Sequence, residues 1–296
     1  MIPYAHHSID SGDVRAVAEV LRSDWITTGP KVLEFEEAIA TRTGARFGVA
    51  VVNGTAALHA AAYAAGIGPG DEVVVPAMTF AASANCVLYL GGTPVFADVR
   101  EDDLLLDPAE VEAKLTPRTK AIMAVDYTGQ PCDYDALRTI ADRHGLTLIA
   151  DSAHALGAEY RGRKVGTLAD LTTFSFHPVK HGTTGEGGMV VTDDVDLAER
   201  MRIFRNHGIS TDARARERKG TWYYEMTDLG YNYRLTDIQC ALGISQLRKL
   251  RRSLARRRAI AARYDAALSE IPGIRPLKVS SEVSHAYHLY VVRVDP

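Results

Sequence analysis

Phe47–Ala65 reads FGVAVVNGTAALHAAAYAA, an apolar, β-branched run that passes through Asn53-Gly54-Thr55 into an alanine- and leucine-rich one. Phe47–Val52 has the composition of a buried strand, and Thr55–Ala65 that of a helix. Working outward, the same unit recurs. Gly66–Asp71 (GIGPGD) is turn chemistry, Glu72–Pro76 (EVVVP) a second strand, Phe80–Leu90 a helix and Thr93–Ala97 a third strand. Ala121–Tyr127 (AIMAVDY) and Leu146–Ala150 (LTLIA) read as strands separated by a helix over Tyr134–His144. Leu171–Phe176 and Met189–Thr192 complete the series. Parallel neighbours need crossover helices, so this alternation predicts an α/β fold, a mostly parallel sheet flanked by helices.

The chain has 296 residues, 46% of them apolar and 24% charged, enough for one large or two ordinary domains with a substantial core. Lys plus Arg total 34 against 37 for Asp plus Glu, a net charge of -3, which argues against a surface built for nucleic acid. Cys86, Cys132 and Cys240 are odd in number, widely spaced and form no Cys-x-x-Cys pair. A reducing compartment is therefore expected, without a disulfide framework or a metal site. The N-terminus lacks a basic stretch followed by an apolar run, and no segment approaches the ~20 apolar residues of a membrane span. The expectation is a cytoplasmic protein with no membrane partner.

Ser210–Gly220 (STDARARERKG) has the composition of an exposed loop. A helical stretch follows from Thr236 to about Leu268, rich in arginine between Arg248 and Arg258. A solvated helix face accounts for those charges, and a phosphate or nucleic-acid patch is the alternative. Ala286–Val294 (AYHLYVVRV) reads as a strand beginning a new sheet, and the chain stops soon after it. The expected division is a large domain over 1–245 and the start of a small, truncated one over 246–296.

Ligands in an open parallel sheet gather at the carboxyl ends of strands. After the first strand, Asn53-Gly54-Thr55 offers glycine for close approach, a hydroxyl and helix N–H groups, a phosphate seat or simply a helix cap. Asp151-Ser152-Ala153-His154 follows LTLIA, where an aspartate is either a functional acid or a cap. Ser175-Phe176-His177-Pro178-Val179-Lys180 follows LTTF, and Lys180 has no charged residue among the nine before it. The glycines from Gly182 to Gly188 lead into a strand, so they are not the Gly-x-Gly-x-x-Gly of a dinucleotide fold. Pyridoxal phosphate unites the set, because it needs a lysine for a Schiff base, an acid at its pyridine nitrogen and an anion seat. Lys180, Asp151 and the Gly54-Thr55 turn with Ser175 supply the three.

These segments resemble the sugar-nucleotide aminotransferases of the DegT/DnrJ/EryC1/StrS family, which have the aspartate aminotransferase-like (type I) fold of pyridoxal-phosphate enzymes. The resemblance rests on Asn-Gly-Thr-Ala-Ala-Leu at 53–58, Asp-Ser-Ala-His at 151–154 and Ser-Phe-His-Pro-Val-Lys at 175–180. Thr-Gly-Glu-Gly-Gly at 184–188 and Gly-Tyr-Asn-Tyr-Arg-Leu-Thr-Asp-Ile-Gln at 230–239 extend it along the chain. Ile26–Pro30, Val125–Tyr127, Phe174–Lys180 and Trp222–Met226 are most similar to the pseudaminic acid branch, the UDP-4-amino-4,6-dideoxy-N-acetyl-β-L-altrosamine transaminases.

The resemblance implies that Lys180 holds the cofactor and moves the substrate proton, and that Asp151 keeps the ring nitrogen protonated. It implies His154 at the ring hydroxyl, Phe80 on the ring face, and Gly54, Thr55 and Ser175 at the phosphate. Asn232 from the other subunit would join them, so a homodimer with shared sites is implied. Ile26, Thr27, Thr28, Gly29 and Glu186 are implied on the side of the substrate, a UDP-linked keto sugar, with L-glutamate as amino donor. Family members extend past the end of this chain, which implies an incomplete small domain. A nicotinamide-dependent sugar-nucleotide enzyme would need the missing glycine fingerprint, and the dehydratase relatives carry histidine where Lys180 stands. A nucleic-acid-binding protein using Arg248–Arg258 would leave 180–188 without a purpose.

Overall fold

The computed structural model describes residues 6–211 and 220–295. The first half runs α1 (Ser11–Leu21), α2 (Pro30–Thr43), β1 (Phe47–Val51), α3 (Gly54–Ala64), β2 (Glu72–Pro76), α4 (Ala81–Leu88), β3 (Thr93–Ala97), α5 (Pro108–Ala113) and β4 (Thr119–Val125). It continues with α6 (Tyr134–His144), β5 (Thr147–Asp151), β6 (Glu159–Tyr160), β7 (Arg163–Lys164), β8 (Leu171–Ser175), β9 (Gly188–Thr192) and α7 (Val195–Phe204). The last part holds α8 (Asp237–Leu247), α9 (Leu250–Leu268), β10 (Ile274–Pro276), β11 (Val283–Ser284) and β12 (Val292–Val294).

Seven strands form one sheet in the order β1-β9-β8-β5-β4-β2-β3. The pairs β2–β3, β2–β4, β4–β5 and β5–β8 are parallel, and β9 is antiparallel to both its neighbours. The mostly parallel sheet expected from the alternation is therefore present, with one reversed strand. Successive side chains of a strand face opposite ways. Val73, Val75, Met123 and Ile149 accordingly pack with the alanine-rich α3 on one face, and Val74, Ile122, Ala124 and Leu148 pack with α6 on the other. Both faces are covered, which is why these strands are apolar throughout. A buried ion pair between Glu36 of α2 and Arg205 fastens the first helices to the sheet, and the same arginine donates to the carbonyl of Ala50 at 2.7 Å.

Three expectations need revision. The stretch from Thr236 to about Leu268 is two helices, broken at Arg248-Lys249. There Lys249 pairs with Asp10 and Asp13, while Leu250 and Leu254 turn inward over Gly157, where a Cβ would stand 2.5 Å from Leu254 Cδ1. The arginines are not all on a solvated face either. Arg257 Nη1 donates to the carbonyls of Tyr287 (3.0 Å) and His288 (3.3 Å), and Arg258 Nε to that of His285 (2.9 Å). Finally, only Val292–Val294 of the expected 286–294 strand is a strand, paired with Ile274–Pro276. Residues 286–289 instead hang on the turn after β4. The N–H of Ala286 donates to the Gly129 carbonyl, and those of His288 (2.8 Å) and Leu289 (3.2 Å) to the Thr128 carbonyl. Of the expected loop at 210–220, residues 212–219 lie outside the described residues. Among the described residues no helix is long and apolar enough to cross a membrane.

Candidate active site

Because only β9 is reversed, the carboxyl ends of β1, β2, β4, β5 and β8 share one edge of the sheet. A cavity of about 710 Å³ opens there. Asn53, Gly54 and Thr55 line it after β1, Thr79 and Phe80 after β2, Tyr127 after β4, Asp151 and His154 after β5, and Ser175 and Lys180 after β8. Glu186, His288 and Leu289 complete the wall.

The Asn53 side chain accepts the Ala56 N–H at 2.8 Å and starts α3. Gly54 and Thr55 then present N–H groups without helical acceptors at the positive end of the helix. Glycine is required at 54, since a Cβ would meet the Ser175 Cβ at 2.9 Å, and at 188, where a Cβ would stand 2.2 Å from the Asn53 carbonyl oxygen. Three separate segments thus converge with two hydroxyls, Thr55 and Ser175, at one mouth.

Asp151 closes β5, and the next element is the strand β6 rather than a helix, so it caps no helix. Burial pushes its carboxyl above the usual range, opposed by the Ser83 hydroxyl, the Ala153 N–H and the charge of Lys180. The Ser83 hydroxyl donates to Asp151 Oδ2 at 2.6 Å and the Ala153 N–H to Oδ1 at 3.2 Å. Lys180 is half-buried, and burial lowers the pKa of its ammonium while Asp151 raises it. Burial also pushes His154 down to about 3, aided by the nearby Lys180 and His181, so its imidazole is neutral. Its ring lies 4.3 Å from that of His288, and its buried Nδ1 has no partner among the described residues. Asp126 braces the floor. Its carboxylate accepts from Ser152 Oγ (2.6 Å), Tyr134 OH (2.9 Å) and Cys132 N (3.0 Å), and its own N–H donates to the Asp151 carbonyl at 3.0 Å. Phe80, 76% exposed, lines the opening.

Not every expected site residue lies here. Thr27, Thr28 and Gly29 line a different hollow of about 520 Å³, beside Arg202, Arg205 and Arg234, and Ile26 is exposed next to them. Asn232 is exposed, away from the Lys180 cavity. Its neighbours Tyr231 and Tyr233 stack on each other at 4.9 Å and pack against Phe204, which leaves the asparagine facing outward.

The sequence model of the DegT/DnrJ/EryC1/StrS aminotransferase family matches residues 7–296. This chain belongs to that family. The aminotransferase is 45% identical over 295 residues to the spore coat polysaccharide biosynthesis protein SpsC of Bacillus subtilis, spanning 99% of this chain and 76% of SpsC. Its structure resembles Spr1654 from Streptococcus pneumoniae in the PMP form, with a TM-score of 0.94 and 35% identity over 100% of this chain and 79% of that one. The PLP form of Spr1654 superposes with a TM-score of 0.92 and 34% identity, over 99% and 78% of the two chains. Helicobacter pylori PseC, an aminotransferase involved in the biosynthesis of pseudoaminic acid, gives 0.92 and 35% over 99% and 77%.

The aminotransferase is a pyridoxal-phosphate enzyme with the type I fold, and its cavity suits that group. It offers one half-buried lysine, a buried carboxylate behind it, an anion seat at α3 and an unpartnered imidazole nitrogen. Sequence reasoning missed Ser83, Tyr127, His288 and Leu289. Tyr127 follows β4 as Asp151 follows β5, and the same rule would have found it. Nothing in the sequence ties 288–289 to the site.

Proposed function

We propose that this aminotransferase converts a nucleotide-linked 4-keto-6-deoxy sugar, UDP-4-keto-6-deoxy-N-acetyl-β-L-altrosamine, to its 4-amino sugar with L-glutamate as donor, for pseudaminic acid or a related surface glycan. The convergence of Lys180 and Asp151 in one cavity with the α3 anion seat carries the reaction type. The likeness to PseC supports the sugar. A second reading within the class, another UDP- or dTDP-linked keto sugar, stays open because SpsC, at 45% identity, is described by a spore coat polysaccharide rather than by pseudoaminic acid. Supplying both sugar series with L-glutamate and the full-length protein, and following amino-sugar formation by mass spectrometry, decides between them. Turnover of no keto sugar would reject the proposal.

The bound cofactor supplies an electron sink for the carbon that loses its proton. In this proposal Lys180 Nζ anchors the cofactor and then moves that proton, as its lowered basicity suits. Asp151 holds a proton on the ring nitrogen, and His154 faces the ring hydroxyl. Thr55, Ser175 and the Gly54 N–H bind the phosphate, and Phe80 covers the ring. Glu186 lies on the sugar side. Residues 1–245 are proposed as the cofactor domain and 246–296 as belonging to a smaller one, with β10 and β12. Cys86, Cys132 and Cys240 are free and buried, which suits a cytoplasmic setting.

The active unit is proposed to be a homodimer in which Asn232, and Ile26–Gly29, serve the partner's site, because their own chain leaves them outside the Lys180 cavity. Mixing the inactive variants Lys180→Ala and Asn232→Asp should then restore activity. Random exchange makes half the dimers mixed, each with one intact site, for about a quarter of the wild-type rate. Verified exchange with no recovery would exclude sharing.

A further inference from the structure

Thr79, Phe80 and Ser83 form one turn at the start of α4, and that turn reaches from the opening of the cavity to its floor. The Ser83 N–H donates to the Phe80 carbonyl at 3.1 Å, which fixes Phe80 at the mouth. The Ser83 side chain, fully buried, runs the other way to Asp151 Oδ2 at 2.6 Å. Its oxygen also lies 2.7 Å from Thr79 Oγ1. Proton counting fixes the direction of both bonds. Ser83 has a single hydroxyl proton, and an ionised carboxylate only accepts, so that proton goes to Asp151 and the Thr79 hydroxyl donates to Ser83. The result is a polarised chain, Thr79 to Ser83 to Asp151, that ends on one oxygen of the carboxylate.

We propose that Ser83 is a positioning residue for the cofactor, its hydroxyl holding the Asp151 carboxylate ionised and turned toward the cofactor's ring nitrogen. This rests on the assignment of Asp151 to that nitrogen. Every titratable group facing Asp151 shows why a fixed donor is needed. Asp126, behind it, repels the charge, and Cys86 of α4 is a neutral thiol, pushed up to about 12 chiefly by burial. Among the described residues Lys180 alone attracts it, and Lys180 is the group that gives up its free ammonium when it anchors the cofactor. The Ala153 N–H, at 3.2 Å, holds the other oxygen more loosely. Ser83 therefore supplies the short bond that does not depend on the state of the lysine. Hydrogen bonds to charged acceptors are the strong class, and a buried carboxylate that loses one reverts toward its protonated form.

The test uses the holoenzyme with cofactor labelled with ¹⁵N in the ring, because the nitrogen's chemical shift reads its protonation independently of turnover. Ser83→Ala should lower the deprotonation midpoint of the ring nitrogen by about one pH unit and weaken cofactor binding about tenfold, the size of one charge-assisted hydrogen bond. Ser83→Thr keeps a hydroxyl and should return both readouts to the parent values. Thr79→Val removes only the second donor and should give a smaller shift of the same sign. It also carries the test if Ser83→Ala fails to fold. Unchanged ring-nitrogen titration in Ser83→Ala, or in Thr79→Val if that variant alone folds, overturns the proposal, as does a Ser83→Thr protein that folds but stays shifted. Asp151→Asn is the control. If it too leaves the nitrogen unchanged, the assignment of Asp151 has failed. If it alone removes the proton, only the role of Ser83 has.

Discussion

Lys180→Ala should abolish transamination, a loss of about four orders of magnitude or more, and leave the fold intact. The lysine is half-buried, and among the described residues its side chain makes no hydrogen bond or ion pair, so nothing in the core leans on it. Removing it also ends the cost of burying an ammonium, which is what lowers its basicity. Two measurements check the expectation. Circular dichroism and thermal melting of the variant should match the parent. Borohydride treatment of the yellow parent protein, followed by peptide mass spectrometry, should place the reduced cofactor on Lys180. An adduct on another lysine would remove the assignment.

Asp151→Asn is expected to lower the rate about a hundred- to ten-thousand-fold without loss of stability. The substitution keeps the volume and removes the charge proposed to hold the ring proton. Its stability effect has a definite sign. The folded carboxyl titrates above its unfolded value because burial outweighs its partners. Its stabilising contribution is thus full below the unfolded pKa and is lost as pH rises through the folded one. At neutral pH the ionised group is a net burden, so the asparagine protein should melt at the same temperature or higher. Activity and melting temperature are expected to part company. A rate near the parent's would reject the role, and a lower melting temperature at pH 7 would show that the charge is structural.

The sheet was legible because its signals are local. Glu72–Pro76, Thr93–Ala97 and Tyr134–His144 fall on the expected residues, each an apolar run or a helical period bounded by turn chemistry. Strand order then sent the residues after each strand to one edge, so Gly54, Thr55, Phe80, Asp151, His154, Ser175, Lys180 and Glu186 meet as expected. What failed was non-local. AYHLYVVRV alternates like a strand, but the Thr128 carbonyl captures 288 and 289, and tertiary contact overrides β propensity there. The break at Arg248-Lys249 carries neither proline nor glycine. It comes from Lys249 reaching the acids of α1, a contact between residues more than two hundred positions apart. Ser83 was invisible for the same reason, since a serine inside an apolar helix reads as filler until Asp151 is seen above it.

The attachment of 286–289 has a consequence for how such a pocket can change over generations. That stretch is moored by the peptide groups of Ala286, His288 and Leu289 to Gly129 and Thr128, and Arg257 grips the peptide carbonyls of Tyr287 and His288. Nearly every amino acid carries those groups, so substitution at 288 or 289 alters the lining without slipping the mooring. Thr128, in the left-handed region at φ 61°, is the fixed post. Inheritance can therefore experiment with the chemistry of this wall one residue at a time, more freely at Leu289 than at His288, whose ring lies against that of His154.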